Sequence, residues 1–305
     1  MQYNNLGSTG IKVSAVGLGG HEFHPDSRVA GFGDNKELAV TPGHIFPGFG
    51  EENRLQIVKT ALEAGINVFD LTIDSEKEAM GRILKEVDVK NEILIQTRPE
   101  GMVYTYDPYN QKMADYTLLR AEVVRALKLI QREVIDIYNF AFMADAIEHD
   151  PDYLDKIADN IQKLKTEGLI RFASADTFSG PAIYAKQYDK GCFDTTFINC
   201  NPLAMATFGD TITKAKNQKM GVLGRILFQK AKVFAIAEKE GYTDKAQVAK
   251  ALIKWAIIDS GVHTIVMGVS SAAQLTGNLT ALEDLNYTPD ERMIIDRLCA
   301  AAKSE

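Results

Sequence analysis

Charged and imidazole side chains in this sequence collect just after short apolar runs. His21, Glu22 and His24 follow the run at 15–19, Asp70 closes Ile66-Asn67-Val68-Phe69, and Asp74 stands four residues further on. Arg98 ends the run at 92–97, Asp176 follows 170–174, and Arg225 follows 221–224; Asn139, Asn199 and Asn201 occupy comparable places. An imidazole near a carboxylate and a guanidinium can move protons at neutral pH. Arg98 and Arg225 could clamp a carboxylate or phosphate by paired hydrogen bonds. The expected working groups are Asp70, His21, Arg98 and Asp176. Expected substrate contacts are Glu22, His24, Asp74, Asn139, Asn199, Asn201 and Arg225. His21 is preferred as acid/base because it directly follows its apolar run, whereas His24 also reads as loop surface. Asp70 has a plainer reading too, an ion pair with Arg98.

His21-Glu22-x-His24 together with an Asp raises the question of a divalent metal. The spacing matches no established helix or finger signature, and the ligands would have to converge from separate strands, so no metal ligands are assigned. Cys192, Cys200 and Cys299 form no metal-binding spacing, and their odd number gives no disulfide framework. Reduced thiols in a cytoplasmic protein are expected. Cys200 reads as a buried inert thiol, since no partner histidine is placed for it.

The elements that position these groups alternate along the chain. Residues 2–15 read as two short strands around the turn Ser8-Thr9-Gly10, and 15–19 as the next strand. A stretch from Pro25 to Gly50, rich in Gly, Pro and Phe, has weak periodicity and reads as a lid. Helices are expected over 52–63, 76–85, 116–131, 151–166, 181–188, 211–219, 246–258 and 272–282. Strands are expected over 66–70, 92–98, 134–140, 170–174, 195–199, 221–224 and 263–267, with an extra amphipathic helix over 289–302. Eight strands alternating with helices imply a closed parallel barrel, an α/β fold of the (β/α)8 TIM type, in one domain over 1–305. Groups at the carboxyl ends of its strands then face a common mouth.

The chain has 305 residues, 46% of them hydrophobic, with a formal net charge of -7. That allows a large core and shows no basic stripe, so nucleic acid is not an expected partner. No apolar run reaches membrane-spanning length, and Met1-Gln2-Tyr3-Asn4-Asn5 lacks the regions of a signal peptide. A small-molecule substrate is the expected partner, with self-association left open.

Ala61-Leu62-Glu63-Ala64-Gly65-Ile66-Asn67-Val68-Phe69-Asp70 resembles the "ALxxGINxFD" segment of the aldo-keto reductases. Leu6-Gly7-Ser8-Thr9-Gly10-Ile11 with Gly17-Leu18-Gly19-Gly20, and Val269-Ser270-Ser271 with Gln274 and Asn278, extend the resemblance to both ends. It implies a barrel plugged at the bottom by the N-terminal hairpin, and hydride transfer from NADPH to a carbonyl. It also implies a proton-donating Tyr tuned by Lys, His and Asp.

Carried over residue by residue, that chemistry is mostly absent. Asp70 matches, but the Tyr falls near Asp74-Ser75, the Lys is Arg98 and the His is Ala141. The expected nicotinamide partners correspond to Asp176, Thr177 and Phe197, and the stacking aromatic to Arg225. Ser270, Ser271, Gln274 and Asn278 resemble the segment that receives the adenosine phosphate at a helix start, although a serine there serves equally as a helix cap. The favoured expectation is non-redox acid–base chemistry, namely elimination, isomerisation or epimerisation, on a small polar or anionic, sugar-like substrate. The alternative is an atypical NADP(H)-dependent oxidoreductase with His21 or Tyr104 as replacement proton donor. A third reading is a non-catalytic binding or regulatory protein.

Overall fold

The structure is a computed structural model that describes residues 1–24, 26–90 and 92–302. Pro25, the first residue of the expected long loop, lies outside them.

β1 (Tyr3–Asn5) and β2 (Lys12–Ser14) form the antiparallel hairpin. Leu6, Ile11 and Val13 insert into an apolar cluster with Val68, Leu94, Ile137, Phe197, Leu223 and Val266, and so close the bottom of the barrel. The turn approaches the barrel very closely. A Cβ on Gly7, whose φ is +55°, would lie 2.4 Å from the Gly221 nitrogen. Only glycine fits there.

The barrel itself consists of β3 (Val16–Gly19), β4 (Val68–Leu71), β5 (Leu94–Thr97), β6 (Ile135–Ala141), β7 (Ile170–Asp176), β8 (Thr195–Asn199), β9 (Gly221–Arg225) and β10 (Thr264–Met267). All pairs are parallel, and β10 returns to β3 to close the ring. The fold is therefore the (β/α)8 barrel with an N-terminal hairpin. Period-two alternation turns Val68 and Asp70, Leu94 and Gln96, and Ile137 and Asn139 to the inside, apolar residues low and polar ones at the mouth.

Around it run α1 (Lys36–Ala39), α2 (Glu52–Glu63), α3 (Asp74–Glu86), α4 (Gln111–Ala114), α5 (Tyr116–Ile130), α6 (Ala144–His149) and α7 (Tyr153–Thr166). Then come α8 (Pro181–Lys190), α9 (Met205–Asn217), α10 (Lys232–Lys239), α11 (Lys245–Ile258), α12 (Ala272–Leu279) and α13 (Pro289–Ala301). Local capping sets several starts. Asp115 and Asp244 accept from the first-turn N–H groups of α5 and α11, and Thr288 with Glu291 forms a capping box ahead of Pro289. The helical expectations need correction at several places. The helix expected over 151–166 starts at Tyr153 and is preceded by the separate α6, α9 starts at Met205 instead of 211, and α10 was not expected at all. In each case the turns concerned follow a strand, where local signals read equally as loop. No helix among the described residues is long and apolar enough to cross a membrane.

The long segment after β3 packs as a strap. Phe32, Phe46 and Phe49 bury against Ile73 and Ala79. Asp74 Oδ2 accepts from the Gly43 N–H at 2.7 Å, Ser75 Oγ from Phe46 at 3.0 Å and Glu22 Oε1 from Gly50 at 2.8 Å. The strap is thereby tied to the start of α3, beside the mouth.

Candidate active site

Two groups of polar side chains occupy the mouth. The first is built from the ends of β3, β4 and β5. His21 Nδ1 lies 2.7 Å from Oε1 of Glu76, which α3 buries in its first turn. The other Glu76 oxygen accepts from the Thr72 N–H at 2.6 Å. Burial alone would raise the Glu76 carboxyl, but His21, the Thr72 N–H and the Arg54 charge outweigh it and hold Glu76 ionised below its ordinary value. Burial works against a charged His21, and the Glu76 carboxylate more than offsets it, so the imidazole titrates above its ordinary value. Nδ1 is engaged by Glu76; the ring is 35% exposed on its outer side.

Asp70 sits next to this pair. Burial pushes its carboxyl up to about 6, against the 2.8 Å hydrogen bond from Gln96 Nε2 to Oδ1 and the nearby Arg98 charge. The expected Asp70–Arg98 ion pair is not formed, because Gln96, the neighbour in register on β5, reaches Asp70 first. Arg98 instead lays its guanidinium over the Tyr104 ring, 5.1 Å from the centroid, and its Nε has no hydrogen-bond partner among the described residues. His21, Asp70 and Arg98 therefore form a half-buried cluster in which protons can move and an oxyanion can be held.

The second group closes the other side. Arg225 Nη2 lies 2.6 Å from Asp176 Oδ1, and its Nη1 donates to Asp176 Oδ2 at 2.7 Å and to the Tyr104 hydroxyl at 2.9 Å. Arg225 Nε donates to Asn199 at 3.0 Å, and Asn139 Nδ2 donates to Asp176 Oδ2 at 3.0 Å. Tyr104 donates its own proton to Asp176 in a short hydrogen bond. Burial drives the Tyr104 phenol far above its ordinary range, with the Asp176 charge adding to the shift. A phenol so placed holds its proton and is engaged with Asp176 and Arg225.

Other expected site residues lie elsewhere. Asp74 is not at the mouth: it is 1% exposed, paired with Lys77 at 2.9 Å and with Arg125, and ties down the strap. Glu22 likewise holds Gly50. His24 pairs with Asp34 at 2.8 Å on the outer surface. Asn201 is spent on the backbone, donating to the Ile226 carbonyl and accepting from Ala204. Burial pushes the Cys200 thiol up to about 12. Among the described residues, no cluster of three or more His, Cys, Asp or Glu is placed to hold a metal ion.

At the rim, Ser271 caps α12 by accepting from Gln274, and Gln274 Oε1 folds back to accept from the Ser270 N–H at 2.7 Å and its hydroxyl at 3.0 Å. Asn278 is buried against Met267. Ser271 is thus a helix cap, and the Gln274 N–H is taken by it.

Glu76 and Gln96 were not singled out from sequence. Glu76 reads as an ordinary acidic residue in a helical first turn. Gln96 carried a usable signal, since Leu94, Gln96 and Arg98 alternate on one face of a strand.

Residues 46–179 match the family model described as "Aldo/keto reductase family". The chain is 24% identical to the L-galactose dehydrogenase of Arabidopsis thaliana over 92% of its own length and 88% of that protein's. It is 21% identical to the L-glyceraldehyde 3-phosphate reductase of Escherichia coli O157:H7, over 97% of this chain and 92% of that one. Aldo-keto reductase YhdN of Bacillus subtilis (strain 168) is 23% identical over 59% of this chain, a match that spans only 48% of that relative. Among solved structures, the aldo-keto reductase AKR11C1 from Bacillus halodurans in its holo form superposes with a TM-score of 0.70 at 17% identity, covering 98% of this chain and 96% of the other. The match over 46–179, which contains Asp70, makes that part of the chain similar to the aldo-keto reductases, and the whole chain shares the closed, hairpin-plugged barrel fold of the solved one.

Proposed function

We propose that this protein is an oxidoreductase interconverting a carbonyl and an alcohol, with His21 in place of the missing tyrosine as the group that moves the proton. The observation that carries the reading is the 2.7 Å His21–Glu76 contact beside Asp70 and Arg98, in a chain whose full-length relatives are named a dehydrogenase and a reductase.

A buried, ionised Glu76 keeps His21 protonated and fixes which ring nitrogen faces Glu76. Proton donation to a developing alkoxide then falls to Nε2. Arg98, whose guanidinium makes no hydrogen bond among the described residues, supplies positive charge where that alkoxide forms. Asp70, near its midpoint at slightly acidic pH, balances the charge as His21 loses its proton. An NADP(H) cofactor would supply the hydride. The residues present fit it in part. The α12 start and Ser270 suit a phosphate, and the unpartnered Asn139 Oδ1 and Gln96 Oε1 suit amide donors. A small-molecule substrate and a cytoplasmic setting accord with this reading.

The experiment that tests it is titration of the purified protein with NADPH and NADH, followed by calorimetry or by fluorescence of Trp255. Micromolar binding supports the reading. No binding at millimolar cofactor overturns it. In that event the same proton-moving groups would serve non-redox elimination, isomerisation or epimerisation, a second reading favoured by one observation: the Arg225–Asp176 pair stands where nicotinamide contacts are expected.

A further inference from the structure

Beneath the strap lies a buried seam of charge between α3, α5 and the turn after β5. Lys77 Nζ is 2.9 Å from Asp74 and 3.7 Å from Glu100, and Arg125 bridges Asp74 and Glu122. Three carboxylates thus share two cations. Lys77 and Glu100 are both fully buried, and neither Glu100 side-chain oxygen has a hydrogen-bond partner among the described residues, although the Glu100 N–H donates to Glu122 at 2.8 Å. A carboxyl left in this way inside a dry seam is stabilised by keeping its proton. Burial pushes Glu100 up to about 7, against the Lys77 and Arg98 charges and with Glu122 and Glu76 adding to the rise.

The strap covers this seam at two points. The Gly43 N–H donates to Asp74 Oδ2 at 2.7 Å. Gly101, next to Glu100, packs so closely that a Cβ there would lie 3.1 Å from both Pro42 Cδ and the Val40 carbonyl oxygen. The remaining titratable groups that act on Glu100 or feel its charge are Tyr138 on β6, whose buried hydroxyl is also unpartnered among the described residues, and Tyr106 on its own stretch. From the strap, Val40, Thr41, Pro42 and Gly43 bring no side-chain charge, Lys36 lies over the Tyr106 ring, and His44 turns its ring to Phe46. Nothing on the strap therefore compensates an ionised Glu100.

We propose that the seam is a proton-operated latch on the strap. With Glu100 neutral, two carboxylates match two cations and the strap stays shut on Asp74 and Gly101. When Glu100 loses its proton, the excess negative charge is relieved by the strap lifting to admit water. The latch sets how open the strap side of the mouth is, whichever chemistry runs there, and does not rest on the oxidoreductase reading. Its sign follows from linkage. The shut strap holds the carboxyl near 7 and the lifted one returns it towards 4.5, so opening rises with pH between those values and levels off above them.

The test is hydrogen–deuterium exchange of the full chain, corrected for the intrinsic exchange rate at each pH and read by mass spectrometry on the stretch 40–47. In the unsubstituted protein, protection there is expected to fall by up to about tenfold per pH unit between about pH 5 and 7 and then to level off, while the interior of α11 stays unchanged. Glu100→Gln, neutral at every pH and of the same size, is expected to keep its acid-side protection throughout. Glu122→Gln removes a neighbouring negative charge and is expected to move the fall to lower pH, a check that stands even where the first variant does not fold. A flat profile in the unsubstituted protein overturns the latch. So does a slope that persists in Glu100→Gln, which would belong to His24, His44 or another group, or a profile that Glu122→Gln leaves in place.

Discussion

His21 and Glu76 meet at 2.7 Å across the junction of β3 and α3, an imidazole on a loop held by a carboxylate that is 2% exposed. The contact sets the protonation of both partners. Glu76→Gln is expected to lower the His21 titration midpoint, because the charge that offsets burial is gone. Histidine Cε1 resonances followed by NMR from pH 5 to 9 check this, and an unmoved midpoint would remove Glu76 from the proton relay.

The same pair has a linkage consequence. The His21 midpoint is raised in the folded protein, so its contribution to stability is full below the unfolded value of 6.5 and is lost as pH rises through the folded midpoint. Urea midpoints of the unsubstituted protein and of His21→Gln should therefore converge at alkaline pH and separate below pH 6.5.

Asp70 behaves in the opposite sense. Its carboxyl rises from 3.8 to about 6 on folding, so ionising it opposes the folded state, fully above the folded midpoint and not at all below 3.8. Asp70→Asn keeps an oxygen for Gln96 and is expected to raise stability by roughly 2–3 kcal/mol at pH 8, an advantage that disappears by about pH 4. Denaturation at the two pH values measures it. Turnover, once a substrate is in hand, should fall by about a hundredfold or more.

Gly20 leaves no room for a side chain. A Cβ there would lie 2.2 Å from Glu76 Oε2 and 3.0 Å from the Asp70 carbonyl oxygen. Gly20→Ala should displace Glu76 from the Thr72 N–H and lower the His21 midpoint as Glu76→Gln does, with a stability loss of about 1–3 kcal/mol. A variant indistinguishable from the parent by NMR titration would contradict the packing described.

Lys77 is 0% exposed and lies 2.9 Å from Asp74 and 3.7 Å from Glu100. Burial, only partly offset by Lys77, already pushes the Glu100 carboxyl up to about 7. Lys77→Met leaves Glu100 without its cation and Asp74 with Arg125 alone, and should cost about 3–5 kcal/mol, read as a shift in urea midpoint. Because Asp74 also holds Gly43, proteolysis within the 26–50 strap should accelerate in the same variant.

Much of the barrel was legible because its signals are local. Apolar strands, capped helices and turn glycines recur at short range, and the β/α alternation names the closed ring before any contact is known. Asp70 was legible for the same reason, as a carboxylate ending a buried strand. The sequence by itself also determined the residue types at these positions, an arginine at 98 and an alanine at 141.

Tertiary structure decided the rest, because partners come from distant segments. His21 and Glu76 are 55 residues apart, and Tyr104 and Arg225 are 121 apart. Asp74 and Asp70 are similar in sequence context, yet one faces a helix–helix seam with Lys77 and the other the barrel mouth with Gln96. Which face a residue takes depends on where strand ends and helix begins, within a residue or two. In a low-dielectric interior, that difference decides whether a carboxylate ties down a strap or stands poised to titrate near neutrality.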